Sequence, residues 1–130
     1  MVVGSTYKSS YLVSEDIFVS FQDTFKDFNL LHINDNHAIK HGYKSKIMYG
    51  NILNGYISHF VGELLPLKEV IILTQNINFK KPFYLNENIS LSASVMEFYE
   101  SVNIYEIAFE FLNSNNVMIA NGKLKIKSLV

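Results

Sequence analysis

The chain predicts an α+β fold in which one long helix is covered by an antiparallel sheet, and three observations carry that prediction. Ile52, Leu53, Tyr56, Ile57, Phe60, Val61, Leu64 and Leu65 recur at i, i+1, i+4 and i+5 until Pro66. This is the pattern of a helix of about four turns with one apolar stripe. Everything after Pro66 is strand-like, in four runs over residues 70–79, 89–99, 102–112 and 117–127, rich in β-branched and aromatic side chains. In the third run Tyr105, Ile107, Phe109 and Phe111 share one face opposite Glu106 and Glu110; in the last, Leu124 and Ile126 alternate with Lys123, Lys125 and Lys127. Such strands have one dry face and one wet face. A sheet of this kind needs a cover on its dry side, and the long helix supplies it.

The elements before the long helix follow in order. Residues 6–13 mix Tyr, Thr and Val with Ser and Lys, as a peripheral first strand would. Ser14 or Asp16 caps a short helix in which Ile17, Phe18, Phe21 and Phe25 fall at helical spacing, and this helix delivers the chain to a loop beginning at Asp27. Asn34 or Asp35 then caps a short helix at 37–40, with Gly42 as its left-handed stop. The segment 43–46 is a polar bridge into the long helix. Turns between the later strands fall at Lys80-Lys81-Pro82 with Asn86-Glu87-Asn88, at Glu100-Ser101, and at residues 113–116. No linker, repeat or low-complexity segment interrupts the 130 residues, so one domain over 1–130 is expected.

Composition narrows the functional classes. Eleven basic against twelve acidic residues give a formal charge of −1, and no basic run exceeds Lys80-Lys81, so a nucleic-acid footprint is missing. Cysteine is absent, which rules out disulfides, thiolate metal ligands and a cysteine nucleophile. No apolar run approaches about 18 residues and the start of the sequence lacks a charged-then-apolar leader pattern. The reading is a soluble cytoplasmic protein with no membrane partner. Ten Phe and eight Tyr supply flat side chains for a core or a pocket wall.

The candidate chemistry sits in residues 27–35. Asp27, Asn29 and His32 place a carboxylate, an amide and an imidazole within six residues, interleaved with Phe28, Leu30, Leu31 and Ile33. A carboxylate and an imidazole on one wall can share a water, one taking its proton while the other orients it or returns a proton. Downstream, Met48-Tyr49-Gly50-Asn51 opens the long helix, whose first N–H groups suit a developing negative charge. Taken singly, these residues have plainer roles: Asp27 a turn residue, Asn29 a turn hydrogen bond, Asn34 and Asp35 caps, Tyr49, Tyr56 and Phe79 core or pocket wall. His37 and His41 stand four apart without a convincing third ligand, and no metal site is assigned. His59 falls in the polar stripe of the long helix, as a surface or interface residue.

Asp27-Phe28-Asn29-Leu30-Leu31-His32, then Tyr49-Gly50-Asn51-Ile52-Leu53, Gly62-Glu63-Leu64-Leu65-Pro66 and Asn78-Phe79-Lys80-Lys81-Pro82, together resemble the MaoC-like hotdog family of acyl dehydratases and (R)-specific enoyl-CoA hydratases. The resemblance runs from about residue 17 to the end of the sequence. It implies a hotdog fold, a long central helix wrapped by a curved antiparallel sheet, dimerised, with a thioester bound near the subunit interface. It also implies that Asp27 and His32 act on the water added to or lost from an enoyl thioester, with Asn29 in support and the Gly50 N–H on the thioester carbonyl. Tyr49, Asn51 and Gly55 would line the substrate pocket.

The sequence departs from the family pattern at four places. Leu30 stands where the family has proline, Tyr49 where it commonly has histidine, Asn51 where it is apolar and Gly55 where it often has serine. These changes point to an unusual acyl group, polar or short, or to a subfamily that has drifted. The expected activity is reversible hydration of a trans-2-enoyl thioester of coenzyme A or acyl carrier protein to the (R)-3-hydroxyacyl thioester, without a metal or redox cofactor, in a homodimer or higher homo-oligomer. A non-catalytic thioester-binding module is the alternative, and a purely structural dimerisation domain the third.

Overall fold

The computed structural model describes residues 1–130. Strand β1 (Thr6–Leu12) leads into α1 (Glu15–Phe25), the one-turn α2 (Leu30–Ile33), α3 (Asp35–Lys40) and the central α4 (Asn51–His59); β2 (Val70–Phe79), β3 (Asn88–Tyr99), β4 (Ile104–Leu112) and β5 (Met118–Ser128) follow. The five strands form one antiparallel sheet in the order β1-β3-β4-β5-β2, leaving β1 and β2 as edges. This is the α+β hotdog architecture that the sequence predicts. No helix is long and apolar enough to cross a membrane.

The helix boundaries follow from local chemistry. The Ser14 side chain accepts the Ile17 N–H at the start of α1, and Glu15 and Asp16 sit in its first turn, where the helix dipole favours negative charge. Asn34 caps α3 in the same way, accepting the His37 N–H at 2.9 Å. The apolar stripe of the long helix does not stay α-helical throughout. From Phe60 to Leu64 it widens into one π turn, closed by the Leu65 N–H on the Phe60 carbonyl, and Pro66, which has no N–H to donate, follows. The wider turn keeps Phe60, Val61 and Leu65 buried in line with Ile52, Leu53, Tyr56 and Ile57.

That stripe shares one apolar cluster with Leu91, Ala93 and Val95 of β3, Ile107, Phe109 and Phe111 of β4, and Leu124 and Ile126 of β5. Burying each such side chain contributes about 1.5–3 kcal/mol relative to exposure. Strand β4 begins two residues later than the sequence pattern suggests. Glu100–Val102 form a single 3-10 turn, and Asn103 takes the left-handed conformation that closes the corner.

Gly122 of β5 lies opposite Ile77 of β2 and Phe109 of β4. A Cβ there would lie 2.0 Å from the Asn76 carbonyl oxygen and 2.6 Å from the Phe109 ring. Gly122→Ala is therefore expected to cost about 3 kcal/mol. The measurement is urea unfolding, in which the midpoint falls while the slope is unchanged; a wild-type midpoint would show that β2 can move aside without cost.

Candidate functional site

Three local devices set the loop that carries Asp27. Lys26 ends α1 in the left-handed conformation and turns the chain sharply. The Asp27 carboxylate then accepts the Asn29 N–H at 3.0 Å, and Asn29 Oδ1 accepts the Leu31 N–H at 3.1 Å, capping α2. Residues 30–33 are thus helical, where the sequence suggests only a loop. Next, the irregular segment at Ile47 runs back along this turn. Its N–H donates to the Leu31 carbonyl at 2.9 Å, and its own carbonyl accepts from His32 Nδ1 at 2.8 Å. A carbonyl can only accept, so Nδ1 of His32 carries a proton, and Nε2 is the ring nitrogen left for an outside partner.

Tyr49 ties this loop to the core. It is 2% exposed, and its ring packs against Phe18, Phe21 and His32 with centroids 5.6, 4.6 and 4.4 Å apart. Its hydroxyl donates to the Asp27 carbonyl oxygen at 2.5 Å and accepts from Gln22 Nε2 at 3.2 Å. Burial lifts the phenol above the ordinary tyrosine range; the Gln22 bond opposes that rise and the Asp27 charge adds to it. The group therefore stays protonated and keeps donating.

The start of α4 presents free donors. Neither the Gly50 nor the Asn51 N–H has a partner within the chain, and Gly50 makes no side-chain cap. A Cβ on Gly50 would lie 2.9 Å from the Phe79 ring, so glycine lets the ring close over the helix start. Asn51 Oδ1 accepts from Asn54 Nδ2 at 2.8 Å, and Asn54 Oδ1 accepts from Gln75 Nε2 at 2.6 Å. This amide chain runs from the edge strand β2 to the helix start.

Two hollows border these groups. One, of about 430 Å³, is lined by His32, Gly50, Asn51, Tyr43, Phe79, Lys80 and Lys81 among others. The other, of about 890 Å³, runs between α1 and α4; Asp27, Asn51, Gly55, Ile17, Phe21 and Phe25 are among its walls. Asn51 is common to both. The structure therefore brings His32, Gly50 and Asn51 together, and Asp27, Asn51 and Gly55 together.

Two of the residues expected to meet substrate line neither hollow. The Asn29 side chain caps α2 and borders a separate small hollow beside Leu31, His37, His41 and Tyr43. Tyr49 is buried with its hydroxyl engaged on both sides, so its place is behind the site. His37 and His41 set their rings 4.7 Å apart, with no third His, Cys, Asp or Glu to join them. His59, exposed as expected, has Nδ1 3.0 Å from the Tyr11 hydroxyl. Sequence reasoning missed Gln22 and the Ile47 carbonyl. The signal for Gln22 was its place one turn after Phe18 on the buried side of α1; a backbone carbonyl leaves no signal.

Leu30 occupies the first helical position of α2, and its N–H makes no bond within the chain. Asn29 before it is extended, φ −54° and ψ 128°, as a residue preceding proline prefers. Leu30→Pro should thus stabilise the fold by about 0.4–1 kcal/mol by restricting the unfolded chain. Thermal unfolding checks this, and a lowered midpoint would mean that the Leu30 side chain does more than occupy the position.

No family model matches the sequence. Among curated proteins, the chain is 24% identical over 108 residues to the (R)-specific enoyl-CoA hydratase of Aeromonas caviae, covering 83% of this chain and 81% of that one. It is 20% identical over 124 residues to the mitochondrial 3-hydroxyacyl-[acyl-carrier-protein] dehydratase of Arabidopsis thaliana, covering 93% and 74%. Among solved structures, the (R)-hydratase of A. caviae involved in PHA biosynthesis superposes with a TM-score of 0.91 at 23% identity, over 98% of this chain and 97% of that one. The MaoC-like dehydratase of Rhodospirillum rubrum gives 0.79 at 14% identity, over 100% and 95%. In sequence the chain is distantly similar to these hydratases and dehydratases, and it shares their hotdog fold.

Proposed function

We propose that the chain is a hydro-lyase that reversibly hydrates trans-2-enoyl thioesters to (R)-3-hydroxyacyl thioesters. One observation carries the reading: His32, its proton fixed on Nδ1 by the Ile47 carbonyl, lines the same hollow as Gly50, whose N–H is free. An acid/base group thus faces the place where an anionic oxygen would be held. The thioester carbonyl lies at the Gly50 N–H, and the acyl chain passes Asn51 into the hollow along α1. That path carries the β-carbon from the His32 side to the Asp27 side. In hydration Asp27, the general base, takes a proton from water as the water oxygen bonds to the β-carbon, and the His32 Nε2 lone pair holds that water. Charge moves to the thioester oxygen, and the Asp27–His32 pair returns a proton to the α-carbon. Dehydration retraces these steps, and the atoms balance with water alone.

The same geometry supports a second reading, a thioester-binding module without catalysis, because Asp27 and His32 line different hollows and meet only across Asn51. In either case the protein acts as a cytoplasmic homodimer. Ile71, Leu73 and Phe79 are exposed on the unpaired edge strand β2, and an apolar edge is satisfied by a second copy.

Loss of enoyl-thioester absorbance separates the two readings. Active wild type, with Asp27→Asn and His32→Ala each reduced about 10²–10⁴-fold and normally folded, is the result expected of the hydro-lyase. Binding without turnover across acyl groups and carriers would leave the module.

Gly55 gives a test of the acyl path. It lines the α1–α4 hollow and a Cβ there meets nothing within 4 Å, so Gly55→Leu fits the fold and fills the groove. It should raise helix stability by about 0.5–1 kcal/mol while lowering kcat/KM for long acyl chains more than for four-carbon ones. An unchanged chain-length profile would place the acyl group elsewhere.

A further inference from the structure

The hollow that holds His32 and Gly50 opens onto a pair of cations. Lys80 and Lys81 line it beside Pro82 and Tyr43, no acidic side chain is among its walls, and neither lysine forms an ion pair. The pair is also held in place. Both backbone N–H groups donate to the Ile119 carbonyl, at 2.8 and 3.1 Å, so the turn after β2 presents its two ammonium groups from a fixed backbone. The other hollow has the opposite character: Asp16 and Asp27 line it together with Ile17, Phe21, Phe25 and Ile52, and no cation does.

Two free lysines with no carboxylate facing them favour an anion of more than one charge, and an ammonium binds phosphate as a point charge. The two hollows are therefore not equivalent ends of a substrate path. An apolar chain fits the groove along α1, and a phosphorylated group fits the lysine end. We infer that Lys80 and Lys81 form the subsite for the phosphate of the thioester handle, so that the handle leaves past the turn after β2 while the acyl chain lies along α1. This inference rests on the thioester reading of the site. The shared chemistry is a phosphate ester, which coenzyme A and the phosphopantetheine arm of a carrier protein both carry.

The test uses one enoyl group, crotonyl, on coenzyme A, on phosphopantetheine and on uncharged N-acetylcysteamine, with the full chain and its Lys80→Ala/Lys81→Ala variant. For the coenzyme A thioester KM should rise about ten-fold with kcat unchanged, and wild-type KM should climb with salt. The N-acetylcysteamine thioester should be turned over equally by both proteins. An equal rise on phosphopantetheine assigns the pantetheine phosphate to the pair; a rise with coenzyme A alone assigns the nucleotide phosphates, and either result supports the subsite. A KM unchanged on all three, or raised equally on the uncharged thioester, overturns it. So does an effect that appears only with an acyl carrier protein substrate, which would assign the lysines to the carrier's acidic surface. If wild type turns over none of these, the hydro-lyase reading fails by itself. Equilibrium dialysis of free coenzyme A against both proteins then still decides the subsite, with weaker retention by the variant supporting it and equal retention overturning it.

Discussion

The seating of α4 in the hollow of the sheet is the constraint on which the rest depends. Its stripe from Ile52 to Leu65 shares one apolar cluster with β3, β4 and β5, and this burial fixes where the helix begins. The chain just before it is held by the Met48 N–H on the Phe83 carbonyl at 2.9 Å, and Phe79 closes over Gly50 at the helix start. The free N–H groups of Gly50 and Asn51 are therefore aimed by core packing. Their position is as rigid as the core, which is what a site that stabilises developing charge requires.

Tyr49 transmits that rigidity to the loop. Its ring lies between α1 and His32 while its hydroxyl grips the backbone of Asp27, so both candidate acid/base residues are located by one core side chain. The contact falls on the Asp27 carbonyl; of the carboxylate, Oδ1 accepts the Asn29 N–H and Oδ2 is left for solvent or a ligand. His32 is held in the complementary way, through one ring nitrogen, with the other left open. In each case the anchoring bond uses an atom that proton transfer would not.

Much of this was legible in the sequence because it is periodic or local. The stripe of α4, the alternation in β4 and β5 and the caps at Ser14 and Asn34 are each written in neighbouring residues. The residue types of the candidate chemistry, Asp27, His32 and Gly50, were legible too. What could not be read is how side chains are used after folding. Asn29 reads equally well as cap or ligand, and only the extended backbone at its position decides for the cap. Tyr49 reads as core or pocket wall, and its packing against Phe18 and Phe21 of α1 decides for the core. The π turn at Phe60 leaves no mark in the pattern, because Leu64 and Leu65 are both apolar and either step from Phe60 reaches a leucine; the wider step buries Leu65 and leaves Leu64 exposed.

Asn51 joins these threads, since it borders both hollows and its amide is set from outside. The bonds from Gln75 to Asn54 and from Asn54 to Asn51 carry the orientation of that amide back to β2, an edge strand with unsatisfied backbone groups. Any strand that pairs along β2 must run past Gln75. The polar lining between the two hollows is thus connected through two amide bonds to the surface where a second copy would dock. His32 and Asp27 take no part in that chain of amides; their anchors are the Ile47 carbonyl and Tyr49. If a second copy pairs along β2 and the substrate passes Asn51, as proposed, association and substrate contact are linked through that amide, while Asp27 and His32 keep separate anchors on Tyr49 and the Ile47 carbonyl.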